Sequence, residues 1–293
     1  MKDPRFLARY GVEVNVPLGP HTAIGTGVNA DFFLAVSASN ELKLAAKAAE
    51  DNGLKVCVIG KGTHIVYSSH GFRGLVIKNE IADFDLLNGS VTVGTGLGLT
   101  EVIHRLAEES CAGFEALAGT PRSVGGALRV NLRGGGTSIS EHLDSATLYS
   151  VGKLRPVSAE DMLFVPDSSL LEHNPEYAVT ATFRVRKQPR QQINQRILAG
   201  TQERLRSQPG AAKAIRVFKD PTPDSATDLA ARAGMAGERV GGAVVSTKDP
   251  NYIINDKGAT PEDVYELAQR IKHRVSLRLQ KKLKEAVVWA GEW

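Results

Sequence analysis

The chain has 293 residues, 42% hydrophobic and 23% charged, with a formal net charge of +4 and a pI near 9.0. At roughly 150 residues per domain, that length predicts two or three lobes with a cleft between them. The mild basic surplus suits an anionic small molecule, while the scattered Lys and Arg exclude a nucleic-acid stripe, and no run approaches the ~20 apolar residues of a membrane span. Cys57 and Cys111 form neither a disulfide framework nor a metal site, and no histidine has metal-ligand spacing. Met1–Tyr10 carries charges where a signal peptide has its apolar core, so a cytoplasmic protein is expected.

In chain order, a helix is predicted from Asn40 to about Asn52, ended by Gly53, followed by a strand over Val56–Ile59. That strand runs into Gly60-Lys61-Gly62-Thr63-His64. The next segments, Ile65-Val66-Tyr67 and Gly74-Leu75-Val76-Ile77, are short and rich in β-branched residues, so they read as strands. A Rossmann fingerprint needs its loop to open a helix, and its third glycine falls here on Ile65, so that motif is rejected. A second glycine run, Gly94–Leu99, joins a strand at Val91–Val93 to a helix at Thr100–Glu109 and reads as a plain strand-to-helix turn. The third run is Gly119-Thr120-Pro121-Arg122-Ser123-Val124-Gly125-Gly126-Ala127.

Further strands are predicted at Ala146–Tyr149 and Val179–Val185. Lys187–Gln195 reads as a hinge or the start of a helix, Arg184–Arg190 as a linker, and Lys281-Lys282 as a solvated helix face. Thr260-Pro261-Glu262-Asp263 combines a cap, a proline at the first position and acids in the first turn. Val264, Leu267, Ile271, Val275 and Leu279 continue it as one apolar helix face that belongs to a core. Val287-Val288-Trp289 is a closing strand. The expected lobes are 1–77, 78–200 with the strand at 286–293 returning to it, and 201–285.

Glycine lets a backbone approach a ligand closely, and successive N–H groups in such loops form a concave anion site. Two such loops far apart in sequence suggest one large anionic ligand, a phosphate-bearing cofactor, gripped from two sides.

Five ordered motifs span nearly the whole chain: Asn15-Val16-Pro17-Leu18 with Thr22; Gly60-x-Gly62-Thr63-His64; Gly119-x-Pro121-x-Ser123-Val124-Gly125-Gly126-Ala127 with Asn131; Val217-Phe218-Lys219-Asp220-Pro221; and Gly241-Gly242-Ala243-x-Val245-Ser246 before Asn251-Tyr252-Ile253-Ile254-Asn255. On these residues the chain resembles the UDP-N-acetylenolpyruvoylglucosamine reductase family, the FAD enzymes that make UDP-N-acetylmuramate, in its shorter subtype. The resemblance implies an α+β chain: a two-lobed FAD-binding fold of the vanillyl-alcohol-oxidase/PCMH type plus a C-terminal α+β substrate domain. It implies FAD as cofactor and NADPH as electron donor. It places the FAD pyrophosphate on Ile59, Gly60, Lys61, Gly62, Thr63 and His64, with Gly119, Thr120, Pro121, Ser123, Val124, Gly125 and Ala127 beside the isoalloxazine ring.

Some positions depart from the family's pattern. Thr63-His64 stands where Ser-Asn is usual, and Arg122 where glycine is usual. Flavoenzymes of the wider fold sometimes tether FAD through a histidine in a glycine loop, although a histidine that hydrogen-bonds phosphate or backbone is commoner. The family's proton donor, a serine or cysteine, aligns with Arg216, which cannot release a proton at ordinary pH. The family's carboxylate-polarising arginine aligns with Pro166 in Val165-Pro166-Asp167-Ser168, and its C-terminal glutamate with Ala286; a one-residue slip would reach Glu285. Arg129, Arg133 and Arg216 are candidates either for a new anion clamp or for separate surface arginines, with Lys219 and Asp220 as further substrate contacts.

The leading expectation is an FAD-dependent oxidoreductase with an anionic, sugar-nucleotide-like substrate different from the family's own. The alternatives are a genuine NADPH-dependent reductase of peptidoglycan synthesis and a non-catalytic flavin-binding protein.

Overall fold

The computed structural model describes residues 10–210 and 213–293. The expectation drawn from Met1–Tyr10 therefore lies, Tyr10 apart, outside the described residues. The chain divides into two compact units, neither of them continuous in sequence.

The first unit comprises Phe32–Lys61 and Gly74–Arg204 together with described residues up to Glu13. Helix α1 (Ser39–Asp51) forms because Leu42, Ala45, Ala46 and Ala49 repeat at helical spacing. The Glu41 carboxylate accepts from the Ala38 N–H at 3.1 Å and closes the first turn, while Gly53 at φ +66° ends the helix. The buried face of α1 packs on Phe32, Leu34, Val36, Leu75 and Ile77 of the strands Asn29–Val36 and Phe72–Asn79. Each such side chain contributes about 1.5–3 kcal/mol when fully buried. Lys55–Ile59 pairs in parallel with Gly74–Lys78, and the antiparallel partners that a hairpin would need are absent from that register.

The rest of the unit is an antiparallel five-stranded sheet in the order Lys153–Ser158, Leu143–Ser150, Tyr177–Arg184, Ser90–Gly94, Phe84–Leu87. Helix α2 (Leu99–Glu108) buries Leu99, Val102, Ile103 and Leu106 in the same core as Val91, Val93, Ala181 and Phe183. The shorter α3 (Val124–Arg129) and α4 (Leu170–His173) follow, and then α5 (Arg190–Ser207), held by Ile193 and Ile197. The open choice at Lys187–Gln195 thus resolves as a helix starting at Arg190. Arg184–Arg190 is not a linker: Arg186–Lys187 pairs with Cys111–Ala112, using backbone groups that a bare linker would leave to water.

The second unit comprises Val14–Asp31, Gly62–Arg73 and Leu205–Trp293. Its antiparallel sheet runs Ala214–Arg216, Tyr252–Asn255, Ala243–Val245, Arg239–Val240. Helices α6 (Ala226–Arg232) and α7 (Pro261–Leu279) contribute Leu229, Val264, Leu267, Ile271 and Val275 to one core with Ile215, Val245 and Ile253. The closing strand, Val288–Ala290, pairs in parallel with Ile65–Tyr67. It does not return to the 78–200 lobe, because its ladder partner is the segment that follows the first glycine loop. Lys281 lies past the end of α7, where it pairs with Asp224 at 2.7 Å, so Lys281-Lys282 is not a helix face. Among the described residues no helix is long and apolar enough to cross a membrane.

Candidate functional site

Within the first unit, the apolar strand Lys55–Ile59 delivers Gly60 to the second glycine run. A Cβ on Gly60 would stand 2.1 Å from Ser123 Oγ and 2.8 Å from Ser123 Cβ, so only glycine allows this approach. Ser123 also accepts from the Gly126 N–H at 3.2 Å, capping α3.

The 119–127 run lies against the third glycine run. Leu99 N–H donates to Arg122 O (2.9 Å), Val124 N–H to Leu97 O (2.8 Å), Gly125 N–H to Thr95 O (2.9 Å), and Thr100 Oγ1 to Thr120 O (3.0 Å). Thr95 is fully buried; its hydroxyl donates to Ala178 O at 2.6 Å and accepts from Asn79 Nδ2 at 2.9 Å. Gly94 and Gly96 leave room for backbone, their added Cβ atoms meeting Ile81 O at 2.3 Å and Asn79 O at 2.6 Å. The Gly94–Gly98 run is a strand-to-helix turn as expected, and it is also the platform on which the 119–127 loop rests.

Among the described residues, the backbone N–H groups of Lys61, Gly62 and Thr63 donate to no backbone carbonyl outside the strand ladders. Lys78, opposite Ile59 in the parallel ladder, was not singled out from sequence, because a lysine closing an apolar strand reads as an ordinary strand end. Burial pulls its pKa down, Glu80 opposes that, and the charge of Lys61 pulls the same way. Within the first unit, a glycine at position 60 that admits a close backbone, the Lys61 N–H and the cations Lys61 and Lys78 fit the diphosphate of a dinucleotide cofactor.

In the second unit, the segment that starts at Gly62 has its own supports. Gly62, at φ +63°, would put a Cβ 2.0 Å from His21 O, and its own carbonyl accepts from Ala23 N–H at 2.9 Å. Thr22 Oγ1 fixes that turn through Gly19 O and Thr26 O at 3.1 and 3.2 Å. The His64 carbonyl accepts from Val288 N–H at 2.8 Å, which ties the loop to the closing strand.

The proposed arginine clamp is distributed over different partners. Arg129, in the last turn of α3, donates from NH1 to Leu171 O, and Ser169 Oγ donates to Arg129 O at 2.9 Å. Burial raises the Tyr177 phenol pKa, helped by Cys57 and Glu50, and the Arg129 charge acts against that rise. Arg133 is exposed, opposite Ser138 in a two-stranded ribbon. Arg216, in the second unit, is ion-paired to Asp220 at 2.5 Å, and Asp220 also accepts from Ala226 N–H at 2.9 Å.

Glu285, one residue before Ala286, is already engaged by α7. Lys272 and Gln269 of α7 hold its carboxylate at 2.9 and 3.3 Å. Lys219 keeps its motif position, with its N–H on Lys284 O at 2.9 Å. Asn251, fully buried, brackets Phe218 with two 2.9 Å bonds, to its N–H and to its carbonyl. Gly241 makes room for the Asp263 carboxylate of α7 and Gly242 for the Gly258–Ala259 backbone, and the Asp263 carboxylate takes the Gly242 N–H at 3.1 Å.

Fold and loops define a flavoprotein of the FAD-dependent oxidoreductase class. Residues 30–152 match the FAD-binding domain model, and residues 208–290 match the C-terminal domain of UDP-N-acetylenolpyruvoylglucosamine reductase. The chain is 33% identical to the UDP-N-acetylenolpyruvoylglucosamine reductase of Halalkalibacterium halodurans, over 98% of this chain and 97% of that one. It is 30% identical to the Bacillus subtilis protein of the same name, over 90% and 89%. The structure is similar to that of the Thermus caldophilus reductase, with a TM-score of 0.80, 26% identity, and coverage of 96% and 100%. Alkyldihydroxyacetonephosphate synthase shares the fold at a TM-score of 0.50 and 12% identity, over 64% of this chain and 42% of that one. The chain belongs to the UDP-N-acetylenolpyruvoylglucosamine reductase family.

Proposed function

We propose that this chain is an FAD-dependent oxidoreductase that keeps the family's flavin half and carries an altered substrate half, acting with NADPH on an anionic sugar nucleotide other than UDP-N-acetylenolpyruvoylglucosamine. The observation that carries the reading is Arg216. At the position where the family's proton donor aligns stands a guanidinium that retains its protons and is committed to Asp220 at 2.5 Å. Pro166 and Ala286 at two further aligned positions, with Glu285 bound to Lys272, support the same conclusion. When bound, FAD supplies hydride transfer. The residues of this chain offer its diphosphate the Lys61 N–H and the charges of Lys61 and Lys78, and support the 119–127 segment on the Thr95 platform.

A second reading, the family reaction itself carried out with other residues, is favoured by the identity of 33% over nearly the full chain. An anaerobic titration of the flavin band near 450 nm separates the two. Bleaching by NADPH without recovery on adding UDP-N-acetylenolpyruvoylglucosamine is the expected result. Recovery with formation of UDP-N-acetylmuramate establishes the second reading instead, and absence of bleaching points to a binding role.

A further inference from the structure

In the first unit, helix α5 packs on the turn that opens the 119–127 segment, and glycines on both sides bring them together. A Cβ on Gly200 would stand 3.0 Å from Ala116 O, one on Gly119 3.3 Å from Thr201 Cα, and one on Gly135 2.6 Å from Ala116 Cβ. Helix, turn and the ribbon that carries Gly135 thus meet at a range that side chains would not permit. Into this contact α5 sends Arg204, whose Nε donates to Ala118 O at 2.9 Å. Ala118 is fully buried, and an acceptor placed there has to find its donor within the protein.

That bond orients more than one atom. In a trans peptide the C=O and the following N–H point in opposite directions, so an Ala118 carbonyl held on Arg204 turns the Gly119 N–H away from α5. The same geometry recurs four residues on, where Leu99 N–H holds Arg122 O at 2.9 Å and so turns the Ser123 N–H away from α2. The N–H groups of Gly119 and Ser123 donate to no backbone carbonyl among the described residues. Those of Val124, Gly125, Gly126 and Ala127, by contrast, are directed to Leu97 O, Thr95 O, Ser123 Oγ and Ser123 O. The donors that the segment keeps for a ligand therefore lie in its first half, and Arg204 is the side chain that orients the first of them.

We infer that Arg204 is a positioning residue for the flavin: through Ala118 O it presets the Gly119 N–H as a donor for the bound cofactor. The inference rests on the proposed function insofar as that sets the 119–127 segment beside the flavin. A donor held in place before FAD arrives spares the cofactor the cost of ordering the loop, so it raises affinity. A fixed N–H beside the ring also favours the reduced flavin, which carries more negative charge, and so raises its potential.

The test titrates FAD into cofactor-free protein for Kd, and then reads the midpoint potential and the visible circular dichroism of the bound flavin. Two substitutions separate the donor from the charge. Glutamine carries its amide Nε2 as many bonds from the backbone as arginine carries Nε, so Arg204→Gln keeps the donor uncharged, whereas Arg204→Met keeps the stem and loses the donor. Arg204→Met is expected to weaken FAD by about tenfold to a hundredfold, the range of one charge-assisted hydrogen bond, with a lower potential and an altered dichroism. Arg204→Gln is expected to stay within about threefold of the wild type, with its dichroism restored. Ile193→Val, which loosens α5 without touching Ala118, should lower Tm and leave all three flavin readouts alone. Wild-type flavin readouts in folded Arg204→Met, equal losses in Arg204→Gln and Arg204→Met, or the same shifts in Ile193→Val overturn the inference. A second measurement needs no variant: amide exchange at Gly119 in the wild type must slow when FAD binds, and an unchanged rate overturns the inference even where Arg204→Met does not fold. A wild type that takes up no FAD refutes the flavin reading itself, whereas FAD binding without these effects refutes the role of Arg204 alone.

Discussion

Gly60 is the residue at which the flavin half is most exposed to a single change. An alanine there brings a carbon to 2.1 Å from Ser123 Oγ, and trimming Ser123 to alanine still leaves its Cβ 2.8 Å away, so the second change relieves only part of the clash. Gly60→Ala is therefore expected to lower stability by about 1–3 kcal/mol, as overpacking does. It is also expected to lose FAD on desalting, and Gly60→Ala/Ser123→Ala should recover part of both in a thermal melt with flavin quantified by absorbance. Asn251 carries a comparable load in the second unit. Asn251→Ala strips Phe218 of two partners in a fully buried setting and is expected to cost about 2–4 kcal/mol in urea unfolding, with the denaturant dependence unchanged. Both residues were visible in the sequence as members of motifs, but their jobs were not. The contact of Gly60 with Ser123 joins distant segments, and the motif reading gave Asn251 no structural role. Lys78 was missed altogether, since only the ladder that sets it opposite Ile59 shows what it neighbours.

Local chemistry made the larger elements legible. Helix α7 begins where its signals put it: Thr260 caps, Pro261 opens and Asp263 accepts the Thr260 N–H at 3.0 Å. Burial alone raises the pKa of Asp263, but hydrogen bonds from the Thr260 and Gly242 N–H groups and the contact with the Thr260 hydroxyl outweigh it, holding the carboxyl below its ordinary range. A depressed carboxylate stabilises the fold above its unfolded pKa of about 3.9, and that contribution disappears as the pH falls through the lower folded value. Asp263→Asn is thus expected to be less stable than the wild type at pH 7 by roughly 0.3–1 kcal/mol, the value of a charge at a helix start. The gap should close below about pH 4; a gap that persists in acid would show that the charge is irrelevant. Where local signals misled, the partner was remote. Arg186–Lys187 became a strand only because Cys111–Ala112 offers its edge, and Lys281 found Asp224 instead of a helix face.

At the scale of the molecule, the ordered motifs gave the fold, whereas the division into units was not readable, because Gly62–Arg73 leaves one unit for the other in mid-loop and returns. The flavin features gather in the first unit, at Gly60, Ser123, Thr95 and Lys78, so FAD should stabilise by mass action, adding about 2.7 kcal/mol at a hundredfold excess over its Kd and raising Tm accordingly. The substrate half gives the sharper forecast. If the chain had lost only its proton donor, Arg216→Ser would restore the family reaction. That change breaks a pair in which Asp220 is 44% exposed, and such pairs are worth about 0–1 kcal/mol, so the variant should fold and hold FAD. On the proposed reading the chain would nevertheless still lack the polarising groups whose family positions align with Pro166 and Ala286, each of which can be worth about 3–4 kcal/mol to a developing charge, or two to three powers of ten in rate. Arg216→Ser is accordingly expected to bleach with NADPH as the wild type does and to form no UDP-N-acetylmuramate over hours. Product appearing at a measurable rate would mean that other groups already supply the stabilisation expected at Pro166 and Ala286 and would overturn the reading of an altered substrate half.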